Sequence, residues 1–370
     1  MTQAEMLTKT GIQKIPPYIP GNTAESVQQK YGLHHVLKLA SNENQYGTSP
    51  MAVAAMTEAV QHASIYPDPF CMQLRKKLDA RFGFDQSGDH VIISQGGSGI
   101  ISLLGEVFIC EGDEMILCEP TFGAYAAACR RNNGKVVALP LTEDQIFDLD
   151  AMYNAITEKT KMLCICNPNN PSGTAVDSEK LRELIHKVPK HIVTVVDEAY
   201  IEFATDERVQ SMVSEIAEGV NLVVIRTFSK IYGLAGERLG YSLMNKELHG
   251  ILQKATTVFV GSRVALAGAL AALDDDAFVQ STINNIRDGR TYLTREFEAL
   301  GWRVFDSQTN FLYADTGLNT AILARELEKK GLIIRGNFTY SRITIGTMEQ
   351  NREMLEIIRQ TLAEGNVPKA

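Results

Sequence analysis

The stretch HIVTVVDEAY at residues 191–200 sets the fold class, because an unbroken apolar run of strand length leads into two carboxylates and a tyrosine. Two runs of the same kind lie on either side of it, KMLCICNP at 161–168 and LVVIRTFSK at 222–230. Unbroken rather than alternating apolar runs are typical of strands that helices cover on both faces. These stretches therefore predict an α/β fold built on a mostly parallel sheet.

The alternation of strand and helix extends beyond these runs. Further strands are predicted at HVIIS (90–94), EMILCE (114–119), KVVALPL (135–141) and RLGYSLMN (238–245). Helical periodicity is clearest at 100–110, 177–187 and 263–273. Ser178 is the predicted N-cap of the second of these helices, because serine accepts hydrogen bonds from free backbone amides.

The pattern changes near residue 280. A long amphipathic helix is predicted at 284–300 and a last helix at 348–362, with short strands at 302–306, 310–315, 331–336 and 341–347. This is an α+β arrangement. We therefore predict three segments: an N-terminal arm that forms part of a small domain (1–44), a large α/β domain (45–280) and the smaller C-terminal domain (281–370).

Composition excludes several classes of protein. The 370 residues carry 36 Lys and Arg against 44 Asp and Glu, a net charge of −8, which disfavours binding to nucleic acid or to an anionic membrane. The apolar runs are too short to cross a bilayer, and the N-terminus lacks the apolar core of a signal peptide. Six cysteines, mostly in apolar runs, do not form a disulfide framework. A reducing, cytoplasmic location is expected.

Ligands of open α/β sheets bind at the carboxyl ends of the strands, so the residues there are the candidates for a site. The run at 90–94 is followed by a glycine-rich turn, Gln95-Gly96-Gly97-Ser98-Gly99, and then by a helix. Backbone amides in such a turn, backed by a helix N-terminus, form an anion cradle. The alternative is a tight turn with no ligand.

Two other strand ends carry groups suited to covalent chemistry. Asp197 follows a buried strand, where a carboxylate needs a partner such as a cationic ring nitrogen, unless it is a structural cap. Lys230 follows the next strand and is a candidate Schiff-base nucleophile, because burial lowers the pKa of a lysine. The alternative for Lys230 is an ordinary solvated charge.

These candidates form a recognisable set when they are taken together. The strand ends supply a phosphate cradle, a carboxylate that pairs with a cation, a lysine, and hydrogen-bonding groups such as Asn170 and Tyr200. Pyridoxal 5'-phosphate needs this combination, because the lysine forms the Schiff base and an acid faces the pyridinium nitrogen. We therefore expect this cofactor.

Motifs along the chain point to one family. They are SNENQYG (41–47), YPDP (66–69), NPNNPSG (167–173), DEAYIEF (197–203), SKIYGLAGERLG (229–240) and RITIGT (342–347). In this order, from about residue 16 to 360, the chain resembles histidinol-phosphate aminotransferases, which are fold-type I pyridoxal-phosphate enzymes. The resemblance implies a large cofactor-binding domain, a smaller α+β domain and a homodimer with shared active sites.

The resemblance also implies roles for individual residues in binding the cofactor. Lys230 corresponds to the lysine that holds the cofactor aldehyde, and Asp197 to the acid on the ring nitrogen. Asn170 and Tyr200 correspond to the pair that binds the phenolic oxygen, and Phe122 to the ring that stacks on the pyridine. The phosphate contacts are Gly97, Ser98, Thr227, Ser229 and Arg238, with Tyr66 reaching the phosphate of the neighbouring subunit.

Four residues are expected at the substrate. Arg342 resembles the arginine that clamps the anionic group of the substrate, and the further substrate contacts are Arg335, Tyr18 and Asn44. Only six residues separate the two arginines, whereas many members of the family have a longer connection. Short forms of this connection also occur in aminotransferases of aromatic amino acids.

The expected reaction is the exchange of an amino group between histidinol phosphate and 2-oxoglutarate, giving imidazole-acetol phosphate and glutamate, in histidine biosynthesis. Three alternatives stay open at this point: an aromatic amino-acid aminotransferase, a decarboxylase similar to threonine-phosphate decarboxylases, and a non-catalytic cofactor-binding regulator. The regulator is disfavoured, because the chain has neither spare length nor basic charge for a DNA-binding module.

Two further motifs have ordinary structural explanations. Cys164-x-Cys166 has the spacing of metal ligands, but it lies within a buried strand and has no second pair, which predicts a core position. The run Asp274–Asp276 is expected to be a solvated turn rather than a cation site. No metal site is expected.

Overall fold

The computed structural model describes residues 5–13, 15–17 and 21–370. Tyr18, one of the expected substrate contacts, lies outside these described residues. The strands in the described part of the chain are β1 (Leu37–Lys38), β2 (Val91–Ser94), β3 (Glu114–Glu119), β4 (Lys135–Pro140), β5 (Thr160–Cys166), β6 (Val193–Asp197), β7 (Leu222–Thr227), β8 (Gly240–Met244), β9 (Arg303–Val304), β10 (Phe311–Asp315), β11 (Leu332–Ile333) and β12 (Ser341–Thr344).

Helices connect most of these strands. They are α1 (Thr10–Gln13), α2 (Ala24–Tyr31), α3 (Pro50–Ala59), α4 (Met72–Arg81), α5 (Gly96–Phe108), α6 (Ala124–Arg131), α7 (Leu149–Asn154), α8 (Ser178–Lys187), α9 (Lys246–Leu252), α10 (Arg263–Ala272), α11 (Asp276–Ala299), α12 (Thr320–Lys329) and α13 (Met348–Ala363). None of the helices within the described ranges is both long enough and apolar enough to span a membrane.

A seven-stranded sheet forms the centre of the larger part of the fold. Its order is β2-β8-β7-β6-β5-β3-β4, and all neighbours are parallel except β8, which runs antiparallel to both β2 and β7. Every residue of β6 and β7 is buried, as expected for central strands covered on both faces. The predicted α/β class and the mostly parallel sheet are confirmed.

The register of the central strands sets the position of the site. Cys166 on β5 lies opposite Asp197 on β6, which in turn lies opposite Ile225 on β7. The carboxyl ends of these three strands therefore meet at one edge of the sheet. The expected core position of the cysteine motif is confirmed, because Cys164 and Cys166 are both buried in β5.

The C-terminal part is a separate, smaller set of elements. Strands β12, β10 and β9 form an antiparallel sheet, and β1 pairs in parallel with β11, so the N-terminal segment joins the C-terminal part of the chain. Helix α11 begins at Asp276, eight residues before the predicted start at 284, and continues through residue 280. The segment boundaries at 44 and 280 stay a prediction.

One local prediction is wrong, and a second is wrong for one of its three residues, since Asp274 and Asp276 are exposed as predicted. Ser178 does not cap α8, because Asp177 occupies the N-cap and accepts a hydrogen bond from the Glu179 amide at 2.9 Å. Asp275 is not a solvated turn residue, since its buried carboxylate caps α11 and accepts a hydrogen bond from the Ser49 hydroxyl at 2.6 Å. In both cases the aspartate satisfies helix amides that would otherwise lack partners.

Candidate active site

Asp197 lies at the end of β6 and is almost completely buried. Its Oδ2 accepts a hydrogen bond from the Tyr125 hydroxyl at 2.5 Å, and its Oδ1 accepts one from the Ala199 amide at 3.1 Å. Burial raises the pKa of the Asp197 carboxyl to about 6, while these two hydrogen bonds oppose the rise. The carboxylate is therefore held by neutral donors and is positioned to receive a cation.

Lys230 lies three residues beyond the end of β7, at the same edge of the sheet. Its Nζ donates to the backbone oxygen of Ser41 at 3.1 Å and lies 5.6 Å from the ring centre of Tyr200. Burial, followed by the charge of Arg342, lowers the pKa of Lys230 to about 8. The uncharged amine, which is the state needed for a nucleophile, is therefore much more populated near neutral pH than in an ordinary lysine.

Tyr200 is buried beside Lys230 and is held by Asn42, which is not among the predicted site residues. Its hydroxyl accepts a hydrogen bond from Asn42 Nδ2 at 3.0 Å, and Asn42 Oδ1 accepts one from the Thr344 hydroxyl at the same distance. Burial raises the pKa of Tyr200 to about 12, so the phenol keeps its proton. The sequence signal for Asn42 is the SNENQYG motif, from which only Asn44 is predicted as a site residue.

Arg342 forms hydrogen bonds to two other parts of the chain. Its Nη1 donates to Asn170 Oδ1 at 2.5 Å, and its Nη2 donates to the backbone oxygen of Ala40 at 2.6 Å. Its guanidinium lies over the rings of Phe311 and Phe338, at 5.4 and 5.5 Å. The structure therefore places Asn170 and Arg342 in direct contact.

The glycine-rich turn brings an arginine to the start of α5. Gly96 has a φ of +69°, and a Cβ there would lie 2.8 Å from Arg238 Nη2. A Cβ at Gly240 would lie 2.6 Å from the carbonyl carbon of Gly96, so the first residues of β8 and α5 pack backbone against backbone. The start of a thirteen-residue helix whose N-cap has no side-chain bond, with an arginine beside it, suits an anion.

The other expected phosphate contacts lie around this turn. Gly97 and Ser98 belong to the first turn of α5, where Ser98 is exposed. Thr227 ends β7, and its hydroxyl accepts a hydrogen bond from the Ser229 amide at 3.0 Å. Both Thr227 and Ser229 are buried.

Phe122 lies just before α6 and is half-buried. Its ring meets the ring of Tyr125 edge-on, with the centres 6.1 Å apart and the planes at 90°. Tyr125 in turn reaches Asp197. Tyr125 is not among the residues predicted from the sequence, although it lies in the PTFGAY segment that includes Phe122.

Within one chain, three of the residues expected to bind cofactor or substrate contact other groups of the protein. Tyr66 is 78% exposed and contacts Phe259, with ring centres 4.8 Å apart. Asn44 donates to the backbone oxygen of Ile231 at 3.0 Å and accepts from the Tyr46 amide at 3.0 Å, so both ends of its amide bind backbone. The Arg335 guanidinium lies against Gly21, where a Cβ would be 3.1 Å from Nη1.

The site as a whole suits a phosphorylated aldehyde that carries a basic ring nitrogen. The anion cradle, the lysine with a lowered pKa and the buried carboxylate with neutral partners each match one part of such a molecule. The phenol of Tyr200 lies beside the lysine and the amide of Asn170 lies beside Arg342, and each adds a hydrogen-bonding group.

Comparisons with known proteins agree with this description. Residues 34–358 match the family model described as "Aminotransferase class I and II". A histidinol-phosphate aminotransferase of Moorella thermoacetica is 37% identical over 361 residues, which is 96% of this chain and 93% of the relative. One from Halalkalibacterium halodurans is 38% identical, over 97% of this chain and 98% of the relative.

Solved structures support the same fold. The histidinol-phosphate aminotransferase of Sinorhizobium meliloti, in complex with pyridoxal-5'-phosphate, superimposes with a TM-score of 0.87 at 24% identity, over 96% of this chain and 98% of the other. A Thermus thermophilus aspartate aminotransferase mutant gives a TM-score of 0.81 at 23% identity, over 95% and 99%. The fold is thus that of fold-type I aminotransferases, and the chain belongs to the histidinol-phosphate aminotransferase family within the class I and II aminotransferases.

Proposed function

We propose that the protein exchanges an amino group between histidinol phosphate and 2-oxoglutarate, giving imidazole-acetol phosphate and glutamate, as a step of histidine biosynthesis. The names of the relatives support this reaction. The observation that carries it is the convergence of a buried carboxylate with neutral partners, Asp197, and a lysine of lowered pKa, Lys230, at one edge of the sheet. Arg342 adds an anion-binding group next to them.

The residues present fit pyridoxal 5'-phosphate. Lys230 would hold its aldehyde carbon, Asp197 its ring nitrogen, and Asn170 with Tyr200 its phenolic oxygen, while Phe122 would stack on the ring. The residues proposed for the phosphate are Gly97, Ser98, Thr227, Ser229 and Arg238. The close approach of Arg238 to Gly96 supports this assignment, because a Cβ at Gly96 would lie 2.8 Å from Arg238 Nη2 and the guanidinium would have to move away from the start of α5.

Each of these residues has a distinct task in catalysis. When bound, the cofactor supplies an electron sink for the negative charge that develops as the substrate Cα loses its proton. The Asp197 carboxylate holds a proton on the ring nitrogen, which it can do while ionised, above its pKa of about 6. The Lys230 amine serves as the base at Cα, since its lowered pKa leaves it partly uncharged. The Tyr200 hydroxyl remains a hydrogen-bond donor.

At the substrate end, we propose that Arg342 and Arg335 receive the anionic group, with Tyr18 and Asn44 as further contacts. Arginine suits this task, because its planar fork donates two parallel hydrogen bonds to a phosphate or a carboxylate. Glutamate must use the same position in the other half of a ping-pong reaction. Its distal carboxylate is therefore expected where the phosphate lies.

We propose that the enzyme is a homodimer with shared active sites. Tyr66 is exposed and packs on Phe259, whose amide donates to the backbone oxygen of Pro69 at 3.0 Å. Other exposed apolar side chains lie close to these residues in sequence, namely Ile65, Phe70 and Val258. An apolar surface of this kind is typical of an interface, and a second subunit would bring Tyr66 to the neighbouring phosphate site.

A cytoplasmic location is also proposed. It is supported by six free cysteines, of which five are buried thiols without a disulfide. The acidic net charge of −8 supports small molecules, rather than nucleic acid or membrane, as the partners besides a second subunit.

The reaction is tested by half-transamination. The purified protein, loaded with pyridoxal phosphate, is mixed with single amino donors, and the change of the cofactor absorption band is followed. We expect histidinol phosphate and glutamate to convert the band. A protein that stays colourless with the cofactor, or whose band responds to aromatic amino acids but not to histidinol phosphate, would contradict the proposal.

A further inference from the structure

Tyr125 is a buried group beside the proposed site that has no task in the mechanism above. Its side chain is 1% exposed, and its hydroxyl donates to Asp197 Oδ2 at 2.5 Å. Tyr125 lies in the first turn of α6, which follows β3, whereas Asp197 ends β6, and β5 lies between these two strands. The hydrogen bond therefore joins two distant parts of the sheet at the carboxylate.

The two donors to Asp197 together restrict its carboxylate. The Ala199 amide binds Oδ1 and the Tyr125 hydroxyl binds Oδ2, so both oxygens are held and the plane of the group is set. Burial and the nearby charge of Asp197 raise the pKa of Tyr125 well above its ordinary value, so the phenol keeps its proton and remains a donor. Burial also raises the pKa of Asp197 to about 6, and the Tyr125 hydrogen bond opposes that rise.

We infer that Tyr125 is a positioning residue, whose hydroxyl holds the Asp197 carboxylate charged and in one orientation for the ring nitrogen of the cofactor. This inference rests on the proposed function, because it requires a ring nitrogen at Asp197. Removing the hydroxyl leaves the carboxylate with the Ala199 amide alone. The protonated form of Asp197 then becomes more populated near neutral pH, and that form cannot hold a positively charged ring.

The test uses Tyr125→Phe, which removes the hydroxyl and keeps the ring that packs against Phe122. The matched control is Tyr241→Phe: Tyr241 is also 1% exposed, lies in β8 of the same sheet, and contacts the rings of Phe228 and Phe82. The dissociation constant of pyridoxal phosphate is measured on each apoprotein across a pH range that brackets the pKa of Asp197. The free cofactor titrates in the same way in every measurement, so a difference in pH dependence between the wild type and the variants arises from the protein.

We expect Tyr125→Phe to weaken cofactor binding about tenfold at neutral pH, because hydrogen bonds to charged groups are the stronger kind. The loss of affinity on acidification should begin at a higher pH than in the wild type, since a carboxyl with a higher pKa becomes protonated earlier. Tyr241→Phe should retain the wild-type affinity and midpoint.

A double-mutant cycle shows whether Tyr125 acts through Asp197. In an Asp197→Asn background, Tyr125→Phe should change the affinity by less than about twofold, because the group through which it acts is no longer ionisable. The inference would be overturned if the affinity of Tyr125→Phe for the cofactor fell with pH at the wild-type midpoint, even with a lowered melting temperature. It would also be overturned if the tenfold loss of affinity persisted in the Asp197→Asn background. If the wild type itself binds no pyridoxal phosphate, the proposed function fails as well.

Discussion

Arg335 and Arg342 face each other across a single antiparallel backbone pair, in which Arg335 N donates to Arg342 O at 3.1 Å and Arg342 N donates to Arg335 O at 2.9 Å. Residues directly opposite each other in such a pair project their side chains to the same face. The connection of six residues, 336–341, is therefore long enough to put both arginines on one side of the small sheet. This pairing supports a joint role in binding an anion.

The first prediction follows from this pair. Arg335→Ala should weaken histidinol phosphate and glutamate together, by roughly ten- to a hundredfold in kcat/KM, because one charge-assisted hydrogen-bonding group contributes about 1.5–3 kcal/mol. Phenylalanine, which has no distal anion, should lose less. Specificity constants for the three substrates measure this, with Arg325→Ala on the exposed face of α12 as the control. Equal losses for all three substrates would remove Arg335 from the anion site.

Lys230→Ala is expected to abolish transamination while the protein stays folded. The amine of Lys230 both attaches the cofactor and moves the Cα proton in our proposal, so no other group replaces it. Activity without added amines and the melting temperature are measured, and Lys187→Ala, an exposed lysine of α8, serves as the control. Near-normal turnover in Lys230→Ala would rule out the assignment of the lysine.

The pKa of Lys230 predicts a pH dependence for attachment of the cofactor. Burial lowers that pKa to about 8, so the amine is an ammonium ion below this pH and a nucleophile above it. The rate at which apoprotein forms the borohydride-trapped bond to pyridoxal phosphate should rise with pH through a midpoint near 8. A midpoint near that of an ordinary lysine would show that the amine is solvated like any surface lysine.

Asp197→Asn should slow turnover more than tenfold and weaken cofactor binding. An amide cannot hold the ring nitrogen protonated, so the electron sink is lost, and the effect should exceed the roughly 0.5–1.5 kcal/mol of an ordinary hydrogen bond. The control is Asp148→Asn, because asparagine caps a helix as well as aspartate does and Asp148 caps α7. A loss below tenfold, about 1.4 kcal/mol, would make Asp197 a structural residue.

Gly240→Ala tests the backbone packing beneath the phosphate cradle. The new Cβ would lie 2.6 Å from the carbonyl carbon of Gly96, so β8 or the start of α5 must move. We expect a loss of about 1–3 kcal/mol in the free energy of unfolding, together with weaker cofactor binding. Gly250→Ala, in α9 with open space around it, is the control. Unfolding in denaturant gives the free energy of unfolding of both variants. Equal stabilities would show that the backbones of β8 and α5 adjust freely to the added Cβ.

Much of the fold follows from local sequence patterns. The central strands β6 and β7 were predictable because each is an apolar run of strand length, which suits a strand covered on both faces. The edge strand β4 was predicted from a similar run, although its residues are only half-buried or exposed. Asp197 and Lys230 were predictable as candidates, because they follow such runs and the strand ends meet at one edge. The glycine turn before α5 was predictable for the same reason.

The contacts that hold the site together were harder to predict. Asn42 reaches Tyr200 across 158 positions of sequence, and Tyr125 reaches Asp197 across 72. No periodicity or spacing encodes such a pair, because it depends on how helices and loops pack on the sheet. The N-cap of α8 was predicted one residue too late, because Asp177 and Ser178 are both favourable N-cap residues and the sequence alone does not distinguish them.

The most direct test of the proposed function is the ratio of kcat/KM for histidinol phosphate to kcat/KM for phenylalanine, measured on the wild-type protein with 2-oxoglutarate as the amino acceptor. An anion site formed by Arg335 and Arg342 predicts a ratio well above one, because an uncharged side chain cannot form the charge-assisted hydrogen bonds that a phosphate forms with two arginines. A ratio below one would contradict the proposal and identify the protein as an aminotransferase of aromatic amino acids.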